Sequence, residues 1–229
     1  MHSVIVITGA TSGIGAATAR ALIADHRLVL IGRRQERLAA LVAELGERAT
    51  AIAADLAQPG APARIVTEVN RAGGRITGLI NNAGVFATAS SEQITTAEAE
   101  RQWRLNVLVP MLLTQAALPD LRHGGGTIIN LSSVAAELAF SGCGIYAGTK
   151  AALEAWSRCL REELRGSGVR VTVVAPGATD TEIWPTGTPF DRTRMCRASD
   201  VAAVIRLALT LPDTASLDRV VVTPPGGVL

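Results

Sequence analysis

Short, uninterrupted runs of apolar residues recur along the chain and alternate with longer amphipathic or alanine-rich segments. The first two runs, residues 4–7 and 28–31, contain only valine, isoleucine and leucine, which is typical of strands buried on both faces of a parallel sheet. Further strands are predicted at residues 50–53, 78–80, 126–131, 169–174 and 219–222, and helices at residues 16–24, 35–45, 59–71, 97–118, 146–165 and 200–211. This alternation predicts an α/β fold: a single Rossmann-type, doubly wound parallel sheet of about seven strands flanked by helices.

Length and composition fit one well-filled core. The chain has 229 residues, of which 48% are hydrophobic and 18% charged. Such a chain buries enough apolar surface for a single domain over residues 1–229. The net charge is +2 and the arginines are scattered without a basic stripe, so nucleic-acid binding is not expected.

The cysteines and the apolar stretches bear on the cellular location. Cys143, Cys159 and Cys196 are odd in number and lack Cys-x-x-Cys or histidine spacing, which argues against a disulfide framework or a zinc site. The longest later apolar stretch, residues 107–118, is too short to span a bilayer, and the N-terminus shows no basic leader. We expect a cytoplasmic protein that uses no metal and no membrane.

One tyrosine and one lysine stand out because the chain contains no other residue of either type. Tyr146 and Lys150 lie four residues apart in a predicted helix, so both side chains share one face. An ammonium held near a phenol favours the phenolate and lowers the phenol pKa from its usual value of about 10. The phenol can then act as an acid or base closer to neutral pH. The alternative is a half-buried aromatic residue beside a solvated charge.

A glycine-rich turn joins the first predicted strand to the first helix. Residues 8–15 have the spacing G-x-x-x-G-x-G, and backbone N–H groups at such a turn receive phosphates. Arg33 and Arg34 follow the second strand with no acid beside them, which suits a ribose 2′-phosphate; the alternative is a pair of solvated loop charges. Asp55 follows the third strand, where it either meets the adenine edge or caps the next helix.

Polar residues also follow the fourth and fifth strands. Residues 81–84 are Asn-Asn-Ala-Gly, which indicates amides that tie neighbouring segments together beside a small residue that lets a ligand approach; the alternative is a plain turn. Ser133 lies just beyond the fifth strand and precedes Tyr146 by 13 residues, so its hydroxyl is well placed to hold a substrate oxygen.

The segment of residues 182–199 is polar and is predicted to form a substrate loop over the site. It carries Trp184, Phe190 and Met195, which favour an apolar or mixed pocket. It also carries three arginines that either meet an acid or a carrier phosphate, or meet only water: Arg192, Arg194 and Arg197.

Taken together, the motifs resemble those of the short-chain dehydrogenase/reductase family from residue 3 to residue 222. Residues 8–15 resemble its TGxxxGIG turn, residues 81–84 its NNAG motif, and Ser133 with Tyr146 and Lys150 its serine and YxxxK. Two further matches are Asn106, at the place of the fourth catalytic residue, and Pro176-Gly177 with Thr181, which resemble PGxxxT. One departure is Pro110, where the family usually has glycine.

The resemblance implies an oxidoreductase that interconverts a ketone or aldehyde and an alcohol, with NADP(H) favoured by the two arginines. It implies that Tyr146 is the general acid/base, that Ser133 holds the substrate oxygen, that Lys150 lowers the Tyr146 pKa and binds the nicotinamide ribose, and that Asn106 joins a water path. The residues expected to bind the cofactor are Gly9, Thr11, Ser12, Gly13, Ile14, Gly15, Arg33, Arg34, Asp55, Leu56, Asn82, Ala83, Gly84, Tyr146, Lys150, Pro176, Gly177 and Thr181.

Two other functions are compatible with the same fold. One is a sensor module that holds a dinucleotide without turning it over. The other is epimerase or dehydratase chemistry on nucleotide sugars, although little chain follows Pro176 to build a substrate domain. The apolar faces of the predicted helices at residues 97–118 and 146–165 also favour a homodimer or homotetramer.

Overall fold

The computed structural model describes residues 1–184, 187 and 191–227. Within these residues the chain forms a sheet of seven parallel strands: β1 (His2–Thr8), β2 (Leu28–Gly32), β3 (Ala49–Ala53), β4 (Gly74–Asn81), β5 (Thr127–Leu131), β6 (Arg170–Pro176) and β9 (Arg219–Val222). Their order in the sheet is β3-β2-β1-β4-β5-β6-β9, and the short strands β7 (Thr179–Asp180) and β8 (Cys196–Arg197) pair separately. The predicted α/β fold class is confirmed.

Helices cover both faces of this sheet. They are α1 (Gly13–Leu22), α2 (Gln35–Leu45), α3 (Ala61–Arg71), α4 (Thr96–Trp103), α5 (Val109–Arg122), α6 (Gly144–Glu163) and α7 (Ala198–Thr210). Val4 and Val6 of β1 pack into the core beneath α3 and α5, whereas Ile5 and Ile7 pack into the core beneath α1 and α7. Because successive side chains of a strand point to opposite faces, a strand between two cores needs an unbroken apolar run.

The strand order reverses between β1 and β4. On one side of this point lie β2 and β3, next to β1; on the other side lie β5 and β6, next to β4. In doubly wound sheets, the loops that leave the carboxyl ends of the strands diverge at such a reversal and leave a crevice. The glycine-rich turn after β1 and the Asn-Asn-Ala-Gly segment after β4 therefore face one another. Among the described residues, no helix is long and apolar enough to cross a membrane.

The helix predicted as one piece at residues 97–118 is broken into three. A π-helical segment, Arg104–Leu108, separates α4 from α5, and the Val109 N–H bonds to the Arg104 carbonyl. Pro110 lies in the first turn of α5 and has no N–H with which to bond the Asn106 carbonyl four residues earlier. The helix is therefore interrupted by a widened turn that precedes the proline and contains Asn106.

The predicted substrate loop at residues 182–199 is shorter than expected. A 3₁₀ turn (Arg192–Arg194) leads into β8, which pairs in parallel with β7, and α7 begins at Ala198 instead of residue 200. Met195 is buried within the fold and does not line the cleft described below. Phe190 lies outside the described residues.

Candidate active site

A cleft of about 1270 Å³ opens at the carboxyl ends of the strands, where the strand order reverses. Most of the residues predicted from sequence line it: Gly9, Thr11, Ser12, Gly13, Ile14, Arg33, Arg34, Asp55, Leu56, Asn82, Ala83, Gly84, Ser133, Tyr146, Lys150, Pro176, Gly177 and Thr181. Gly15 and Asn106 are buried beside the cleft without lining it. The fold thus brings together residues that are far apart in the chain.

The glycine turn is as tight as the backbone permits. Gly9 has φ +67°, and a Cβ atom there would lie 2.9 Å from the Cα of Ala83. A Cβ atom on Gly15 would lie 2.3 Å from the Gly9 carbonyl oxygen, so Gly15 serves close packing inside the turn. The turn opens onto the N-terminus of α1, whose cap residue Ser12 makes no side-chain capping hydrogen bond. Free N–H groups and the positive end of the helix dipole suit an anion here.

Thr8 fixes the glycine turn to the segment after β4. Its hydroxyl oxygen accepts hydrogen bonds from the N–H groups of Asn82 and Ala83, both at 2.9 Å, and donates to the Ile80 carbonyl at 3.2 Å. The Asn82 amide donates to the Thr8 carbonyl at 2.8 Å. The asparagine motif therefore joins neighbouring segments, as predicted, and Thr8 shares a structural role that the sequence analysis did not assign to it.

A second amide pair lies beneath this edge of the sheet. Asn81 and Asn130 are partners across β4 and β5, and the Asn81 amide donates to Asn130 Oδ1 at 2.8 Å. The Asn130 amide donates to Ser157 Oγ of α6 at 2.8 Å. All three side chains are buried, so this network ties the two central strands to the helix that carries Tyr146.

Ser133, Tyr146 and Lys150 meet in the cleft, as predicted. Ser133 follows β5, and its Oγ accepts a hydrogen bond from the Ala135 N–H at 3.2 Å. Tyr146 and Lys150 both lie on α6, with Lys150 Nζ 5.7 Å from the centroid of the Tyr146 ring. Lys150 is only 5% exposed, and its ammonium donates to the Leu131 carbonyl at 2.7 Å.

Burial dominates the protonation of this pair. It raises the pKa of Tyr146 to about 12, and the neighbouring Ser133 hydroxyl opposes that rise. Burial also lowers the pKa of Lys150 to about 8, against the opposing charge of Glu154. In the protein alone the net shift of the Tyr146 pKa is therefore upward, because loss of solvent disfavours the phenolate more than the neighbouring groups favour it; a lowering contribution from Lys150 stays a prediction.

Asn106 has a different setting from the one expected. Its Oδ1 accepts the Val85 N–H at 2.8 Å, while its amide donates to the Val85 carbonyl at 2.9 Å and to Thr149 Oγ1 at 3.1 Å. The side chain thus binds the segment after β4 to α6, and a part in a water path remains a prediction.

The two arginines after β2 differ in their surroundings. Arg34 donates to Thr11 Oγ1 at 3.0 Å and to Ser12 Oγ at 2.7 Å in the glycine turn, and it pairs with Glu182 at 2.7 Å. Arg33 lines the same end of the cleft and makes no hydrogen bond or ion pair with another described residue. The alternative of two merely solvated charges does not describe Arg34.

Asp55 also lies at this end of the cleft. Its Oδ1 accepts the Ala57 N–H at 3.0 Å, which orders the loop after β3. The next helix, α3, begins after Gly60, so Asp55 is not its cap. Of the two roles left open by the sequence, only a place on the cleft wall agrees with the structure.

The opposite end of the cleft is aromatic. Phe86, Phe140 and Trp184 line it together with Tyr146. Trp184 is one of the residues predicted from the sequence, whereas Phe86 and Phe140 are not; the signal that could have identified them is rarity, because the chain has only three phenylalanines. Three arginines of the predicted substrate loop are absent from the described lining: Arg192, Arg194 and Arg197.

A dinucleotide fits this cleft. The volume exceeds the range of roughly 300–1,000 Å³ typical of small-ligand pockets, and the glycine turn leaves room for a phosphate at the N-terminus of α1. Ser132 Oγ lies on the cleft wall, buried and without a hydrogen-bond partner among the described residues. Such a group is expected where a polar ligand binds.

Comparison with known proteins agrees with this geometry. A family model described as short chain dehydrogenase matches residues 3–189. Serine 3-dehydrogenase of Agrobacterium fabrum is 40% identical over 184 residues, which cover 80% of this chain and 74% of that protein. Sulfoacetaldehyde reductase 2 of Chromohalobacter salexigens is 35% identical over an alignment that covers 98% of this chain and 95% of that protein.

A solved structure has the same architecture throughout. The crystal structure of a short chain dehydrogenase from Burkholderia cenocepacia J2315 in complex with NADP superposes with a TM-score of 0.87 and 32% identity, over 96% of this chain and 95% of that chain. The family match, the relatives and the geometry of the cleft all agree with the resemblance found in the sequence. The chain belongs to the short-chain dehydrogenase family of oxidoreductases.

Proposed function

We propose that the protein is an NADP(H)-dependent oxidoreductase that interconverts a ketone or aldehyde and an alcohol, with Tyr146 as general acid/base. The observation that carries this proposal is the meeting of Ser133, Tyr146 and Lys150 in a cleft that continues to the glycine turn. The bound nicotinamide supplies or accepts the hydride. The rest of the chemistry is a proton transfer, which the side chains of the chain perform.

Tyr146 is suited to give a proton to a carbonyl oxygen. Its pKa of about 12 keeps the phenol protonated at neutral pH, so the donor form is the one present when a carbonyl is reduced. The Ser133 hydroxyl lies beside the phenol and orients the same oxygen. Lys150, held at the Leu131 carbonyl beneath the ring, adds a positive charge that stabilises the phenolate left after the transfer.

The preference for NADP(H) rests on the arginines after β2. Arg33 has its guanidinium free of other described residues and is available to a ribose 2′-phosphate, whereas Arg34 faces the glycine turn and would share its guanidinium between the phosphate and Glu182. The solved structure of the Burkholderia relative is a complex with NADP, which supports the same choice. Comparison of kcat/KM for NADPH and NADH in wild type, Arg33→Ala and Arg34→Ala tests this proposal; equal wild-type values for the two cofactors would refute it.

A panel of aldehydes, ketones and alcohols, followed by the absorbance of the reduced nicotinamide, tests the reaction itself. We expect NADPH oxidation with at least one carbonyl class and NADP⁺ reduction with the corresponding alcohol. A sensor module would bind NADPH and turn over nothing in such a panel. Epimerase chemistry would convert its substrate without net consumption of cofactor.

The proposal extends to a cytoplasmic homodimer or homotetramer. Three large apolar side chains are exposed along α4, the π-helical segment and α5: Trp103 at 42%, Leu108 at 40% and Leu112 at 39%. Two other apolar residues of the helices predicted at residues 97–118 and 146–165, Val107 and Leu160, are buried. A light-scattering mass near the chain mass of 23.8 kDa at micromolar concentration would count against the oligomer.

A further inference from the structure

Aromatic side chains are scarce in this chain and are concentrated at one end of the cleft. The sequence has three phenylalanines, three tryptophans and one tyrosine, and six of these seven lie among the described residues. Four of the six line the cleft: Phe86, Phe140, Tyr146 and Trp184. Aromatic residues make up only 3% of the chain, so the gathering of most of them in one cleft indicates an aromatic pocket.

The rings form a connected wall beside the proton donor. The Phe86 ring lies edge-on to the Tyr146 ring, and the two ring centroids are 4.9 Å apart. The centroid of the Phe86 ring is also 5.5 Å from that of the Trp184 ring. The Trp184 indole N–H donates to the Thr179 carbonyl at 2.9 Å, which fixes the orientation of the indole. A carbonyl compound held at the Tyr146 hydroxyl therefore places its substituent against Phe86 and Trp184.

Small, uncharged residues close in sequence to Ser133 and Tyr146 also line the cleft. They include Val134, Ala135, Ser141 and Cys143, and the Cys143 thiol is neutral because burial raises its pKa. No residue of this set offers a charge to an ionic substituent.

Three of the four arginines in the described lining of the cleft are engaged with other residues, and the fourth, Arg33, directly follows β2 at the glycine-turn end. Arg34 is paired with Glu182, and Arg104 donates to the carbonyl of Ala57, in the loop after β3. Arg101 makes two hydrogen bonds of 2.9 Å to Glu98. Within the described part of the chain, no guanidinium is available beside the aromatic wall to compensate a carboxylate or sulfonate.

We infer that the substrate is an uncharged carbonyl compound with an aromatic or bulky apolar substituent. This inference rests on the proposed function and deepens it. It sets this chain apart from the two relatives named above, whose names refer to serine and sulfoacetaldehyde, both of which carry an ionised acid group. The substituent binds by burial of its apolar surface and by edge-to-face contact with the rings.

Three aldehydes of the form X–CH₂–CHO test the inference because only X differs: phenylacetaldehyde, propanal and sulfoacetaldehyde. Burial of a phenyl-sized group corresponds to about tenfold to a hundredfold in binding. We therefore expect kcat/KM for phenylacetaldehyde to exceed that for propanal by about tenfold or more, with sulfoacetaldehyde the poorest of the three. A value for sulfoacetaldehyde equal to or above that for phenylacetaldehyde would overturn the inference and leave the proposed function intact. No turnover of any of the three with either cofactor would reject the proposed function, and the inference with it.

Two variants test the aromatic wall directly. Trp184→Ala and Phe86→Leu are expected to lower kcat/KM for phenylacetaldehyde by about tenfold while propanal changes by less than about threefold. Leu207→Ala, which shortens an exposed side chain on α7, is the matched control and is expected to change neither value. Equal losses of kcat/KM for phenylacetaldehyde and propanal in both variants would show that the rings only support the fold, and would overturn the inference.

Discussion

Glu182 pairs with Arg34, one of the two arginines proposed to bind a 2′-phosphate, so we predict that Glu182→Gln tightens NADPH binding. Its carboxylate pairs with Arg34 at 2.7 Å and with Arg37 at 2.6 Å, from a segment more than 140 residues away in the chain. The next residue toward the N-terminus, Thr181, packs against the glycine turn, where a Cβ on Gly13 would lie 3.0 Å from it. A phosphate at Arg34 must share the guanidinium with Glu182 or displace it.

The size of the expected gain in NADPH affinity follows from the solvent exposure of the two ion pairs. The side chains of Arg34, Arg37 and Glu182 are 42%, 48% and 54% exposed, so each pair is worth about 0.2–1 kcal/mol. Removal of both pairs then strengthens NADPH binding by about twofold to thirtyfold, since 1.4 kcal/mol corresponds to a factor of ten. NADH has no 2′-phosphate, and its affinity is expected to stay within about twofold of the wild-type value.

The assay is a fluorescence titration of each variant with NADPH and with NADH at low and high salt. The hydrogen bonds from Arg34 and Arg37 hold the pKa of Glu182 below its usual range, so the carboxylate is charged throughout the neutral range used. High salt is expected to reduce the difference in NADPH affinity between Glu182→Gln and wild type, because salt screens exposed ion pairs. Glu44→Gln is the matched control: Glu44 makes a similar exposed pair with Arg20 that does not line the cleft. NADPH affinity that is unchanged or weaker in Glu182→Gln would refute the reasoning.

Three further predictions concern α6 and its supports. Lys150→Arg is expected to lower kcat for carbonyl reduction by about a hundredfold or more, because a planar guanidinium cannot replace the compact ammonium; a rate near wild type would remove the argument from the single lysine. Reduction is expected to fall as pH rises through about 8, where Lys150 loses its proton. Glu154→Gln should move this decline to lower pH, since Glu154 raises the Lys150 pKa, and an unmoved pH profile would contradict that role. Asn130→Ala is expected to lower the free energy of unfolding in urea by about 1–3 kcal/mol, because the Asn81 amide and the Ser157 hydroxyl each lose a buried partner; a loss below about 0.5 kcal/mol would contradict this.

Local patterns in the sequence were sufficient for the sheet and the cofactor end of the cleft. An unbroken apolar run such as that of β1 is required where a strand lies between two cores, so the strand could be read without its partners. The glycine turn was equally readable, since Gly9 adopts a positive φ and Gly15 leaves no room for a side chain. Such constraints act within a few residues, and the sequence displays them directly.

Contacts between distant segments could not be read in the same way. The pairing of Glu182 with Arg34 joins residues 148 positions apart, and neither side chain has a local pattern that predicts it. Phe86 and Phe140 stand singly in their loops, and only the fold brings them into the cleft that Tyr146 lines. The net shift of the Tyr146 pKa depends on burial, a property of the whole cleft that the neighbouring lysine in the sequence does not reveal.

The most direct test of the central claim is the rate of carbonyl reduction by Tyr146→Phe, measured beside its affinity for NADPH. The substitution removes the phenol hydroxyl and little else, so the ring still packs edge-on to Phe86 and the cofactor end of the cleft is unchanged. We predict that turnover is lost while the dissociation constant for NADPH stays within about threefold of wild type. Residual turnover within about tenfold of the wild-type rate would contradict the assignment of Tyr146 as the proton donor.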